Sequence, residues 1–139
     1  MAKALIVYNS KHGTTKKFSE NIGAYLTEKG SETEIVSVEE FNESMTTDKD
    51  IVLLGAWTHG LMIFLQHPDK PFVNFAKSAP SLSGKKVALF TTYKLATGTM
   101  FKKMKVALGN KIDTVSSEIK SKNGELKDEI KNQLNLLLN

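Results

Sequence analysis

Ala4, Leu5, Ile6, Val7 and Tyr8 form an unbroken apolar run, and no other stretch restricts the possible fold so strongly. With no polar residue alternating through it, the run reads as a strand covered on both faces, the condition at the centre of a parallel sheet. It ends in a turn, residues 10–15, that carries three hydroxyls, an imidazole and a glycine, after which Phe18, Ile22, Tyr25 and Leu26 recur at helical spacing as far as Gly30, a good helix stop. A helix start leaves several N–H groups without intrahelical partners and places partial positive charge there. Ser10, Thr14 and Thr15 add side-chain donors and Gly13 lets the backbone approach an anion, so the turn suits a phosphate. Its spacing matches neither the Gly-Lys-Ser/Thr loop of nucleoside triphosphate sites nor the three-glycine dinucleotide turn, so a phosphate monoester suits it better than either nucleotide. Helix capping by Ser and Thr is the simpler reading of the same residues, and the turn alone does not separate the two.

The second apolar run, residues 51–56, ends in Trp57, Thr58, His59 and Gly60; the third, residues 87–92, ends in a loop over residues 93–98. Between them Pro68, Asp69, Lys70 and Pro71 mark a helix start with Phe72, Phe75 and Ala76 on its inner face. Met100, Phe101, Met104, Ala107 and Leu108 predict a further helix closed by Gly109. Residues 33–38 read as an edge strand, residues 39–50 as polar chain with a weak helical turn near Phe41 to Met45, and residues 111–121 as a polar outer strand. Asn123 and Gly124 are expected to open a last helix whose stripe is Leu126, Ile130, Leu134, Leu137 and Leu138.

Strands alternating with helices imply right-handed crossovers and a doubly wound, three-layer α/β sandwich with a five-stranded parallel sheet; the order taken for it is 2-1-3-4-5, a common one among doubly wound sheets. Ligands then bind beyond the carboxyl ends of the first and third strands, where residues 10–15, 57–60 and 92–98 meet. Trp57, the one tryptophan of the chain, and Tyr93 stand just past two buried strands. Two aromatic planes in one crevice suit a flat heteroaromatic ring, although either residue alone is more simply packing.

The chain has 139 residues, 40% hydrophobic and 24% charged, which suits one domain, 1–139, with a single core. No run approaches the length of a membrane span and no signal-peptide pattern precedes the first strand, so a cytoplasmic location is expected. Without cysteine, thiolate metal sites, iron–sulfur clusters and thiol catalysis are excluded. Every basic residue other than histidine is lysine, which argues against guanidinium recognition of phosphate. Residues 70–112 contain nine lysines and no acid, whereas carboxylates crowd residues 28–50, so the surface is expected to be electrically two-sided. His12, His59 and His67 are poorly spaced for a metal, Gly-x-Ser-x-Gly is absent, and no nucleic-acid module is present.

The turn Ser10-x-x-Gly13-x-Thr15 after a first buried strand resembles the FMN phosphate loop of flavodoxins, with His12 where that family carries a hydroxyl. The resemblance, to the short-chain branch, covers most of the chain. It implies non-covalent FMN and single-electron transfer between partner proteins. On this likeness the cofactor set is Ser10, Lys11, His12, Gly13, Thr14 and Thr15; Ala56, Trp57, Thr58, His59 and Gly60; and Thr92, Tyr93, Lys94, Thr97 and Gly98. Trp57 and Tyr93 hold the places of the residues that sandwich the ring. Thr58 stands where the family has a glycine whose peptide flips when one electron arrives. The lysine-rich third loop and following helix depart from the family's acidic surface and imply redox partners with acidic docking surfaces, met by a monomer. The alternative is an FMN-dependent oxidoreductase of the same superfamily, similar to protoporphyrinogen oxidase.

Overall fold

The computed structural model describes residues 2–61 and 64–139. The elements run β1 (Lys3–Asn9), α1 (Thr14–Glu28), β2 (Glu32–Ser37), a 3-10 turn (Glu43–Thr46), β3 (Ile51–Trp57), β4 (His59–Leu61), β5 (Phe64–His67), α2 (Lys70–Ser78), β6 (Lys86–Thr92), α3 (Met100–Leu108), a second 3-10 turn (Gly109–Lys111), β7 (Val115–Ser121) and α4 (Asp128–Leu138). Five strands pair in parallel in the order β2-β1-β3-β6-β7, which is 2-1-3-4-5 when these five are counted along the chain. The central strands are the apolar runs: Leu5, Ile6, Val7, Leu53, Val87 and Leu89 are all fully buried. Alternation within each strand divides the core into two layers. Leu5, Val7, Leu54 and Leu89 pack under α2 and α3 with Phe72 and Met104, while Ile6, Leu53 and Phe90 pack under α1 and α4 with Phe18, Ile22 and Leu134.

The structure corrects the sequence reading at three places. The outer strand starts at Val115, not at Lys111, because the preceding residues are bound elsewhere. Lys111 Nζ donates to the carbonyls of Ala76 and Lys77 at the end of α2, and the Asp113 carboxylate accepts from Ser83 Oγ at 3.1 Å and from the Gly84 N–H at 3.0 Å. The last helix starts at Asp128, not after Gly124, since Gly124 N–H donates to Ser121 Oγ at 2.9 Å and Asn21 Nδ2 donates to the Gly124 carbonyl at 2.8 Å, holding that segment as a turn. Leu126 nevertheless packs on the layer it was expected to join. Lastly, residues 59–67, to which the sequence reading assigns no strand, contain an antiparallel hairpin, β4 against β5, in which His59 lies opposite His67. The weak turn near Phe41 is the first 3-10 turn, capped by the Asn42 side chain accepting from the Ser44 N–H.

Candidate functional site

The carboxyl ends of β1, β3 and β6 lie side by side, with Asn9 opposite Ala56 and Trp57 opposite Thr92. Here the strand order reverses, because β1 continues to β2 on one side and to β3 on the other. At the first loop the chain enters α1 through Gly13, whose φ of 91° is left-handed and whose absent Cβ would meet nothing within 4 Å. A side chain at this position is therefore disfavoured by backbone strain and not by crowding. Ser10 Oγ accepts from the N–H of Gly13 at 3.1 Å and from that of Lys16 at 3.2 Å, so two amides of the helix entrance converge on one oxygen. Capping and anion binding are thus two uses of one geometry, an oxygen held by convergent amides.

Thr15 joins this turn to the third loop through a hydroxyl contact of 2.6 Å with Thr92, fully buried beneath the crevice. Thr58 joins the second loop to the end of β6 twice: its N–H donates to the Thr92 carbonyl at 2.9 Å, and its hydroxyl meets that of Thr91 at 2.8 Å. Lys11 reaches across from the first loop to lie 5.1 Å from the centre of the Trp57 ring. Ala56 is buried, Lys11, His12, Gly13, Lys94 and Gly98 are exposed, and Thr14, Trp57, His59, Tyr93 and Thr97 are half-buried. Gly60 lies within β4. Tyr93 turns toward β7: its N–H donates to the Ser121 carbonyl, and Lys120 and Lys122 lie over its ring at 6.0 and 5.9 Å. Among the described residues no ring contact joins Trp57 to Tyr93, and each aromatic face carries ammonium groups instead.

Among the described residues, four buried side-chain polar atoms lack a hydrogen-bond partner: Asn9 Nδ2, Trp57 Nε1, His59 Nδ1 and Thr33 Oγ1. The first three stand at the ends of β1 and β3 or just past them, and Asn9 and Trp57 can only donate through these atoms. A crevice with buried donors and convergent amides fits a ligand rich in acceptor oxygens. Asn9 escaped the sequence reading, yet a signal existed, since an amide closes an otherwise apolar strand immediately before the hydroxyl turn. Lys120 and Lys122 escaped it because only the pairing of β7 with β6 brings them beside Tyr93.

Charge is arranged across this face. Toward β2, the Tyr8 hydroxyl is pushed above its ordinary range by burial and then by the carboxylates of Glu40, Glu20 and Glu39. Toward β7 stand Lys94, Lys120 and Lys122, with Glu125 in the turn beyond them, and these lysines are in no ion pair among the described residues. Several lysines of residues 70–112 have other tasks. Lys85 Nζ donates to the Lys49 carbonyl, Lys86 Nζ to the carbonyls of Leu137 and Asn139, and Lys105 pairs with Glu118.

Residues 5–125 match the family model described as a flavodoxin domain. A flavodoxin of Megasphaera elsdenii is 36% identical over 93 residues, which are 67% of this chain and 66% of that protein's length, just under two thirds of it. The solution structure of two-electron reduced Megasphaera elsdenii flavodoxin superposes with a TM-score of 0.72 at 27% identity, covering 94% of each chain. Oxidised flavodoxin 2 from Bacillus cereus superposes with a TM-score of 0.73 at 23% identity, over 99% of this chain and 96% of its own, a likeness of fold. Among the described residues no helix is long and apolar enough to cross a membrane.

Proposed function

The chain belongs to the flavodoxin family, a family of FMN-binding electron carriers, and on that premise we propose that residues 1–139 form one cytoplasmic, monomeric domain that binds FMN and shuttles single electrons between redox partner proteins. The observation that carries this reading is the convergence of the Ser10–Gly13–Lys16 amide cradle and Trp57 in one crevice, with Lys11 spanning them. In the proposed assignment the phosphate takes the cradle formed by Ser10, Lys11, His12, Gly13, Thr14 and Thr15. The residues that would hold the ring are Trp57 and Tyr93 with Ala56, Thr58, His59, Gly60, Thr92, Lys94, Thr97 and Gly98. Bound there, FMN supplies the one-electron chemistry, and the protein supplies the binding, orientation and field. The family match supports the carrier over the oxidoreductase alternative. Its partners are proposed to present acidic surfaces to Lys94, Lys120 and Lys122.

The protein is expected to take up FMN at least about tenfold more tightly than riboflavin, because riboflavin forfeits every charge-assisted contact of the cradle. Titration of cofactor-free protein with each flavin, followed by quenching of flavin fluorescence, measures the ratio; equal affinities would remove the phosphate assignment. A second outcome concerns Thr58, whose Cβ makes positive φ costlier by roughly 1 kcal/mol than it is for glycine. Thr58→Gly is expected to widen the separation of the two one-electron potentials in an anaerobic titration, and an unchanged separation would show that the backbone of residue 58 does not respond to reduction.

A further inference from the structure

The hairpin strand β5 touches both of the loops that carry the aromatic residues of the crevice. Successive side chains of a strand point to opposite faces, so Gln66 and His67 face opposite ways. On one face, the His67 ring lies 4.7 Å from the His59 ring, and that ring lies 4.8 Å from Trp57. The His67 ring is itself fixed by a 2.9 Å contact between Nδ1 and the Pro68 carbonyl, in which Nδ1 carries the proton. On the other face, Gln66 is 2% exposed and fills the space beside Gly98: a Cβ on Gly98 would come within 2.3 Å of Gln66 Oε1. The next residue of that loop, Thr99, donates its hydroxyl to the Gln66 carbonyl at 2.9 Å. Three rings in series and one close-packed amide therefore run from Trp57, through β5, to the end of the third loop.

We infer that β5 is a spacer that sets the second and third loops relative to each other, with His67, Gln66 and Thr99 as positioning residues for a crevice they do not line. The inference rests on the assignment of that crevice to FMN, because only then does loop spacing become cofactor affinity. Ring pairs and tight packing transmit position well, since protein interiors yield little to local displacement. A change at Gly98 is thus felt at Trp57, although the two belong to different loops.

The test uses the single tryptophan as a reporter in cofactor-free protein, which keeps it independent of whether flavin binds. Gly98→Ala drives a methyl against Gln66, Thr99→Val removes the hydroxyl donor at nearly constant shape, and His67→Ala removes the ring behind His59. Each variant is first confirmed as folded by circular dichroism. The expected result is a shift of Trp57 emission and greater acrylamide quenching in all three variants, with His67→Phe returning both toward the parent value. In His67→Ala the FMN dissociation constant rises about fivefold, the worth of the lost ring pair, and it rises in the other two as well, while the ratio of FMN to riboflavin affinity stays at the parent value because the phosphate cradle is untouched. If Gly98→Ala does not fold, Thr99→Val carries the same comparison from the third loop. Unchanged Trp57 emission in folded Thr99→Val and Gly98→Ala would overturn the spacer, whatever flavin does. Parent protein that binds no FMN would instead overturn the cofactor assignment and leave the emission result standing.

Discussion

Gly55→Ala is expected to destabilise the protein by about 3 kcal/mol, the upper part of the usual range for forcing extra volume into a packed core. Gly55 lies in β3 directly opposite Phe90 of β6, and a Cβ there would fall 2.1 Å from Phe90 Cε2 and 2.2 Å from Cζ. The ring has no easy escape, being fully buried and set edge to face against Phe18 at 5.7 Å between centroids. A domain of this size is stable by roughly 5–15 kcal/mol in all, so the loss is a large share of the total. Urea unfolding followed by circular dichroism measures it. Phe90→Leu costs stability alone by leaving a void, but combined with Gly55→Ala it gives the new methyl room, so the double variant should be more stable than the two losses added together by over about 1 kcal/mol. Strict additivity would mean that the ring swings aside freely and that the glycine is not required for packing. Crevice geometry is at stake as well, for Gly55 is two residues from Trp57 and Phe90 two from Thr92.

Gly55 also shows how the sequence was legible and where it was not. The three apolar runs specified the doubly buried strands, and the alternation of strands with helices specified a parallel sheet between two helix layers, because few arrangements bury both faces of such strands. The turn from Ser10 to Thr15 was legible as a strand-to-helix entrance because it lies within one loop at short spacing, whereas Trp57 and Tyr93 stand in different loops and no ring contact joins them among the described residues. Everything that depends on what a distant segment offers was hidden. Residues 111–114 have strand-like composition, yet Lys111 is taken by the end of α2 and Asp113 by the Ser83–Gly84 turn, long-range bonds that no local pattern announces. The hairpin was missed because a short continuous apolar run such as residues 61–65 reads equally as buried strand or buried helix and announces no antiparallel partner, and the His59–His67 pairing is apparent only once the two strands face each other. The lysines illustrate the same point: residues 70–112 stood out as a charge run, but Lys85, Lys86, Lys105 and Lys111 are bound elsewhere in the fold.

The field at the crevice should accordingly come from β7 and the third loop, not from α3. Lys120 and Lys122 lie over the Tyr93 ring and Lys94 follows it in sequence, whereas Lys102 and Lys103 sit in α3, and among the described residues neither lies over Trp57 or Tyr93. Fully reduced FMN is an anion at its ring, so positive charge nearby favours the reduced form. A unit charge at about 10 Å in water contributes about 0.4 kcal/mol. Three such lysines, partly offset by Glu125 and the carboxylates toward β2, should hold the second one-electron potential some tens of millivolts higher than neutral residues would. Changing Lys94, Lys120 and Lys122 together to glutamine is therefore expected to lower that potential, and changing Lys102 and Lys103 to leave it nearly unmoved. The same three residues should govern docking, which small charged oxidants can report without a natural partner. Reduced protein is expected to react faster with ferricyanide, an anion, at low salt, with the advantage fading as added salt shortens the screening length from about 10 Å at 0.1 M. A cationic cobalt complex should show the opposite salt dependence, and the glutamine variant should flatten both. Should the cation be favoured in the parent protein, the carboxylates of Glu20, Glu39 and Glu40 would dominate the face that meets the partner, and the acidic-partner proposal would fall while FMN binding, measured separately, stood.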